Sequence, residues 1–236
     1  MNVPSTAPAR LKRAAFALAL AFAASNVVAQ GFSFSKPDDE ERAEREARDS
    51  RIAEQLSTPC RADLKNKKIM VVIGEERSDG VVFALQQNYG PHVEAINRRL
   101  RGLGLRTYTP EEIRRQIAQA EVEAMMRNDP DAALSASRRL GASFVLRGVI
   151  RSQATRNPII AVNQVSVSMG FTLTGSDGRK VATADAQSAS YAGADVSRMA
   201  QTLVNEQADE VVASLYAEYC RKAGLGAPAR PAPKKK

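Results

Sequence analysis

The side chains that most often carry catalysis or hold metals are scarce in this 236-residue chain, which has two Cys and one His. Two thiolates cannot form a tetrahedral all-thiolate zinc site, and His92 would add only a third soft ligand. Cys60 and Cys220 lie far apart and lack the Cys-x-x-Cys spacing of a redox pair. In an oxidising compartment their simplest fate is one disulfide, a redox pair being the alternative. His92 follows Gly90 and Pro91, where a helix is expected to begin, and reads as an exposed or capping residue, since a general base needs oriented partners. Glu75 and Glu76 read as a loop pair. Glu111 and Glu112 fall in a predicted first helical turn, where the helix dipole favours negative charge without any catalytic role. The sequence contains no Walker loop, nucleophile elbow or calcium loop. We therefore expect no catalytic residues, no metal and no cofactor.

Whether the cysteines oxidise depends on where the chain goes. Arg10, Lys12 and Arg13 precede an unbroken apolar run from Ala14 to Ala24, and Val27 and Ala29 fit the small-residue positions of a cleavage site. This is the layout of a secretory signal peptide over residues 1–29, with the mature start near Gln30. The run falls well short of the roughly 20 apolar residues a membrane span needs, so no transmembrane segment is expected in the mature chain. No Cys stands at the mature start to take a lipid. The expected location is periplasmic or secreted.

The formal charge of +8 is concentrated at the ends. Three basic residues leave with the signal, and residues 221–236 hold six basic residues and no acid. The body between them is nearly neutral, which is no platform for nucleic acid. Residues 30–59 are read as a charged helical arm: Asp38 to Glu54 holds eight acids and four Arg, with Glu41 and Arg45, and Glu44 and Arg48, at helical i, i+4 spacing. The arm lacks an apolar stripe until Ile52 and Leu56 and is expected to be solvated and peripheral. The basic tail 221–236, broken by Ala, Gly and Pro, is expected not to fold. It either folds back loosely on the acidic arm or reaches an anionic envelope surface.

Residues 60–220 are expected to form an α/β domain. Ile69 to Ile73 is continuously apolar, as in a strand covered on both faces. Gly74 to Tyr89 is read as irregular. A helix begins near Pro91 with Val93, Ile96, Leu100 and Leu103 on one face, and Gly102 and Gly104 end it. A short strand, Leu105 to Tyr108, leads to a capping box of Thr109 and Glu112, and the helix after it carries Ile113, Ile117, Ala120, Ala124 and Met125. Asp129 and Pro130 start another helix that Gly141 stops, and Phe144 to Ile150 is the next strand.

From Val165 to Leu173 apolar and small polar residues alternate, the pattern of a strand with one buried and one wet face. Gly175, Ser176, Asp177 and Gly178 reverse the chain. A four-residue loop would place Phe171 opposite Ala182, Met169 opposite Ala184 and Val167 opposite Ala186, aligning the apolar faces. The row of Ala lets a helix approach closely, and the stripe of Val196, Met199, Leu203, Val211, Leu215 and Tyr219 between Asp195 and Tyr219 suits that role. On the wet face, Ser166, Ser168, Thr172, Thr183 and Asp185 form a candidate interaction surface. The predicted class is thus α/β: a mixed sheet with helical crossovers, then an antiparallel hairpin and a C-terminal packing helix.

The run Leu140 to Ile150 (Leu-Gly-Ala-Ser-Phe-Val-Leu-Arg-Gly-Val-Ile), the hairpin around Asp177 and Gly178, and the closing amphipathic helix resemble a group of bacterial envelope accessory domains. The group comprises the CsgG-like curli secretion proteins, the LpoB-type activators of penicillin-binding proteins, the TolB amino-terminal domain and the middle domain of FlgT. The resemblance spans roughly Lys67 to Tyr219 and carries over no functional residue. It implies a non-enzymatic exported accessory protein that binds a protein partner in assembly or regulation of a cell-surface machine of the secretion, flagellar, outer-membrane assembly or cell-wall synthesis type. The alternative is a small periplasmic hydrolase or ligand-binding protein with its site at the carboxyl ends of the first strands, near residues 74–80.

Overall fold

The computed structural model describes residues 37–76, 82–83, 90–159, 161–192 and 195–225. The expected signal peptide, residues 30–36 of the arm, residues 77–80 of the alternative site and residues 226–236 of the tail lie outside them. The described elements are α1 (Pro37–Leu56), α2 (Arg61–Leu64), β1 (Lys68–Glu76), β2 (Val82–Phe83), α3 (Pro91–Gly102), β3 (Arg106–Thr107), α4 (Pro110–Gln116), α5 (Gln119–Met126), α6 (Pro130–Leu140), β4 (Phe144–Arg156), β5 (Asn163–Gly175), β6 (Lys180–Ala192) and α7 (Val196–Lys222). The class is α/β with a mixed sheet: β1 pairs parallel with β3 and β4, and β4, β5 and β6 follow antiparallel, in the order β2-β1-β4-β5-β6. Among the described residues no helix is long and apolar enough to cross a membrane.

Helices lie on both faces of the sheet but cover them unequally. On one face Ile69, Val71, Leu146, Val167, Met169 and Phe171 form a single core with α3 and α7. On the other a smaller core joins Met70, Val72 and Val145 to α4, α5 and α6, and it stops at β4. β1 is buried from Ile69 to Gly74, which is why its sequence shows no alternation. Gly148 makes room for the larger core: a Cβ there would sit 2.2 Å from the Phe171 ring.

The capping box at Thr109 and Glu112 is present in both directions, and Asp129 caps α6 through the backbone of Asp131 and Ala132. Several expectations are corrected. The stretch read as irregular contains the end of β1 and the short β2, paired at Glu75 with Phe83 and Glu76 with Val82, so Glu75 and Glu76 are strand residues. The single helix expected after Thr109 is two, because Ile117 and Ala118 adopt extended backbone and turn the chain so that Ile117, Val122 and Met125 all enter the smaller core. β4 runs six residues beyond Ile150, because its polar end is hydrogen-bonded to β5. The first residues of the predicted tail, Arg221 and Lys222, close α7, and both pair with Glu218.

The hairpin register also differs. The loop is closed by Gly175 N–H on Arg179 O at 2.9 Å, with Gly178 at φ +79°, so three residues turn the chain instead of four. That change alone would put the row of Ala on the wrong face. A bulge then inserts Val181 between the pairs Leu173 with Ala182 and Thr174 with Lys180. Phe171 meets Ala184, Met169 meets Ala186 and Val167 meets Ser188, two residues from the predicted partners and on the predicted faces.

Candidate functional site

β4, β5 and β6 gather the predicted surface residues. Adjacent cross-strand rows read Arg147, Thr172, Thr183; then Val149, Gly170, Asp185; then Arg151, Ser168, Gln187; then Gln153, Ser166, Ala189. Ser166, Ser168, Thr172, Thr183 and Asp185 therefore share one face, the one that α4 to α6 leave uncovered beyond β4. Ser166 and Asp185 are exposed, and Ser168, Thr172 and Thr183 are half-buried. Gly170 lets the Asp185 carboxylate lie across the sheet, since a Cβ there would stand 2.9 Å from Asp185 Oδ1.

The cations on this face come from β4. Arg151 pairs with Glu76 at the end of β1. Arg147 is half-buried, donates to Met126 O at 3.3 Å, and is held below the usual guanidinium range by that burial. Shallow depressions of 470 and 590 Å³ lie over Arg151, Ser168 and Gln187, one toward Gln153 and Ser166, the other toward Asp185. Both are wide open to solvent, which suits contact with another surface better than enclosure of a small substrate.

Elsewhere the structure spreads the predicted chemical residues apart. His92 is half-buried in the first turn of α3, and Glu111 and Glu112 lie in the first turn of α4. Cys60 and Cys220 are disulfide-bonded with Cα atoms 5.8 Å apart, joining the entry to α2 and β1 to the end of α7. Among the described residues no group of His, Cys, Asp and Glu is placed to hold a metal ion.

Beside the disulfide is a cluster that sequence reasoning missed. Lys67 Nζ donates to Asp63 Oδ2 at 2.9 Å and to the Tyr219 hydroxyl at 3.0 Å, and that hydroxyl donates to Asp63. The Tyr219 ring meets the Phe144 ring edge-on at 5.5 Å. The Tyr219 hydroxyl, and then Lys67, hold the Asp63 carboxyl below its ordinary range. Burial opposes charge on Lys67, but hydrogen bonds to Asp63 and Tyr219 outweigh it and raise the ammonium. Burial, reinforced by Asp63, raises the phenol. Each group is thus fixed more firmly in its neutral-pH form, as in a structural tie between α2 and α7 and unlike an acid–base pair poised near pH 7. Asp63 and Lys67 at i, i+4 were visible in the sequence; Tyr219 enters only through the fold.

The fold and its surface define a mixed α/β domain with one open polar sheet face. No family model matches the chain, and no curated protein matches it in sequence. Among solved structures it is similar to lipoprotein GNA1162 from Neisseria meningitidis, at 13% identity over 61% of this chain and 96% of that one, with a TM-score of 0.41. It is also similar to PelC from Paraburkholderia phytofirmans, crystallised as a dodecamer, at 17% identity over 64% and 88% of the two chains and a TM-score of 0.38. The LpoB C-terminal domain from Salmonella enterica matches at 11% identity over 58% and 91%, with a TM-score of 0.36. At these values the likeness is one of general arrangement, and no functional residue is carried over.

Proposed function

We propose that the chain is a non-enzymatic exported envelope accessory protein that binds a protein partner in the assembly or regulation of a cell-surface machine, through the face of Ser166, Ser168, Thr172, Thr183 and Asp185. The observation that carries this reading is the one-sided cover of β5 and β6: their apolar face is packed on α7, while an extended polar face stays open. A flat wet surface with small hydroxyls and a few charges suits the polar surface of another protein. The layout of residues 1–29 supports export, and the basic residues of the tail, six among 221–236, offer a second contact to an anionic envelope surface.

The test is photo-crosslinking in the periplasm from an unnatural amino acid placed at Ser166, Ser168 or Asp185, followed by mass spectrometry. A discrete adduct from these positions, absent when the probe replaces exposed Arg61 or Arg115, is the expected result. Equal adducts from all five positions, or none from the sheet face, would remove the face from consideration.

A further inference from the structure

β6 ends the sheet, and its outer edge is protected along only half its length. The Thr183 N–H, which points away from β5, donates to Glu218 Oε2 of α7 at 2.5 Å, and the Val181 bulge twists the strand just before it. From Ala182 onward the pairing with β5 is regular, so the N–H and C=O groups of Asp185, Gln187, Ala189 and Tyr191 also point outward. Among the described residues β6 pairs with no strand but β5.

The edge borders a groove of 520 Å³, with residues 187–190 of β6 as one wall, α7 from Met199 to Glu210 as the floor and α1 as the far wall. α1 runs parallel to α7, with Arg48 beside Glu206, Arg51 beside Glu210 and Gln55 bonded to Ser214. The helical layer thus extends one helix past the last strand, which leaves room above it for one strand more. A second copy presenting its own β6 would bring its α7 to the place α1 already takes, so the groove admits a single extended segment and excludes another sheet edge. Its floor is about 17 Å long at the helical rise, the length of about five extended residues.

Charge around the groove is unevenly matched. Arg48 and Arg51 are paired with Glu206 and Glu210, and Arg45 is engaged as well. Glu44 on the α1 wall and Asp185 on β6 are exposed and enter no ion pair among the described residues. The unmatched charge at this edge is therefore negative, while Met199 and Leu203 make part of the floor apolar.

We propose that this edge takes an extended basic segment of the partner protein as an added strand, which rests on the partner-binding reading above and names how the partner is held. The outward main-chain groups of Asp185, Gln187 and Ala189 supply the hydrogen bonds, and the Glu218 bond at Thr183 closes the site at one end. Side chains of the added strand level with Asp185 share its wet face, where Lys or Arg meets the carboxylate. Those between them lie over Met199 and Leu203 and are apolar. Glu44 adds to the same field from the opposite wall.

Titrating the oxidised chain from Gln30 to Lys236 with the peptide acetyl-Lys-Val-Lys-Val-Lys-Val-Lys-amide, read by amide shifts and hydrogen exchange, tests this. The amides of Gln187 and Ala189 should shift saturably and exchange at least tenfold more slowly in excess peptide. Asp185→Lys should weaken binding at least threefold, and Ala189→Pro, which removes an outward donor without touching the β5 ladder, should abolish the protection of Gln187. The amides of Leu146 and Phe171 report that the body stays folded in each variant. Equal binding of the peptide with Glu in place of Lys, or of the Lys peptide with its backbone N-methylated, overturns the proposal. So does protection of Gln187 and Ala189 before peptide is added, which would assign the groove to the same chain, or to a second copy if it grows with protein concentration. A crosslink from Ser166 in the periplasm with no peptide effect at Gln187 would remove the edge and leave the wet face standing, and the reverse result would keep the edge and remove the face.

Discussion

β1 and the first half of β4 lie between two helical layers, with Val71 and Leu146 facing α3 and α7 while Met70, Val72 and Val145 face α4 to α6; β5 and β6 have a helix against one face only. Both halves belong to one sheet and share the larger core. The doubly covered half must be apolar on both faces, which leaves it no side chains free for recognition. The singly covered half can vary its wet face without loss of packing. The face proposed above for a partner is therefore the one that packing leaves free.

The largest expected effect comes from uncoupling the two halves. The disulfide joins the chain just before α2 and β1 to the end of α7, which backs β5 and β6. Closing a loop of 160 residues stabilises by about 5 kcal/mol in the chain-entropy model. Reduction, or Cys60→Ala with Cys220→Ala, should lower the denaturation midpoint by a large fraction of the total stability. A shift below about 1 kcal/mol would show that α1 and α7 packing already couples the halves. Intact-mass measurement on periplasmic material should show neither thiol free.

Next in size is the contrast between the two faces of one strand. Phe171→Asp puts a carboxylate against Gly148 at a position 2% exposed and should cost about 3–5 kcal/mol. Ser168→Asp, three residues away on the wet face, should stay within about 0.5 kcal/mol. Equal melting temperatures would mean that the two faces are not distinguished as described.

The cluster of Asp63, Lys67 and Tyr219 gives a smaller, pH-dependent effect. The Asp63 carboxyl lies below its ordinary 3.8 when folded, so its contribution is present above that pH and is lost as the pH falls through the lower folded value. Lys67 and Tyr219 are raised above 10.5 and 10.0, so theirs are present below those values and lost as the pH rises through the folded ones. With Asp63 40% and Lys67 34% exposed, solvent screening keeps the pair under about 1 kcal/mol. Asp63→Asn should flatten the acid limb of stability against pH, and an unchanged limb would remove the cluster as its source. Smallest of all is deletion of residues 226–236, which should leave the melting temperature unchanged and weaken low-salt retention on anionic envelope material. Unchanged retention would assign that binding to the body.

How far the sequence could be read follows from the same contrast. The strands at Ile69 and Phe171, the capping box at Thr109 and the stop at Gly141 were legible because each is a local pattern with a local cause. The split between α4 and α5 was not, because Ile117 and Ala120 continue a helical stripe, and only packing against Met70 and Val145 breaks it. The shared face of Ser166, Ser168, Thr172, Thr183 and Asp185 was readable from alternation. The edge beside it was not: Thr183 and Glu218 meet across 35 residues with no sequence signal for the contact. Tyr219 read as one more stripe residue until the fold set its hydroxyl between Asp63 and Lys67.

The three-residue loop and the Val181 bulge each shift the hairpin by one residue, and strand faces obey parity. Two odd shifts compose to an even one, so the hairpin tolerates either change only in the company of the other. Pairing Val181 with Leu173 in place of the bulge would turn Thr183 and Asp185 toward α7 and expose Ala182 and Ala184, whereas deleting Val181 would heal the bulge and leave both faces as they are. Drawing Gly175 into a four-residue loop while Val181 joins the ladder would restore both faces. Loop length and bulge are thus a single setting, and an engineer whose graft draws Gly175 into the turn should let Val181 pair in the ladder.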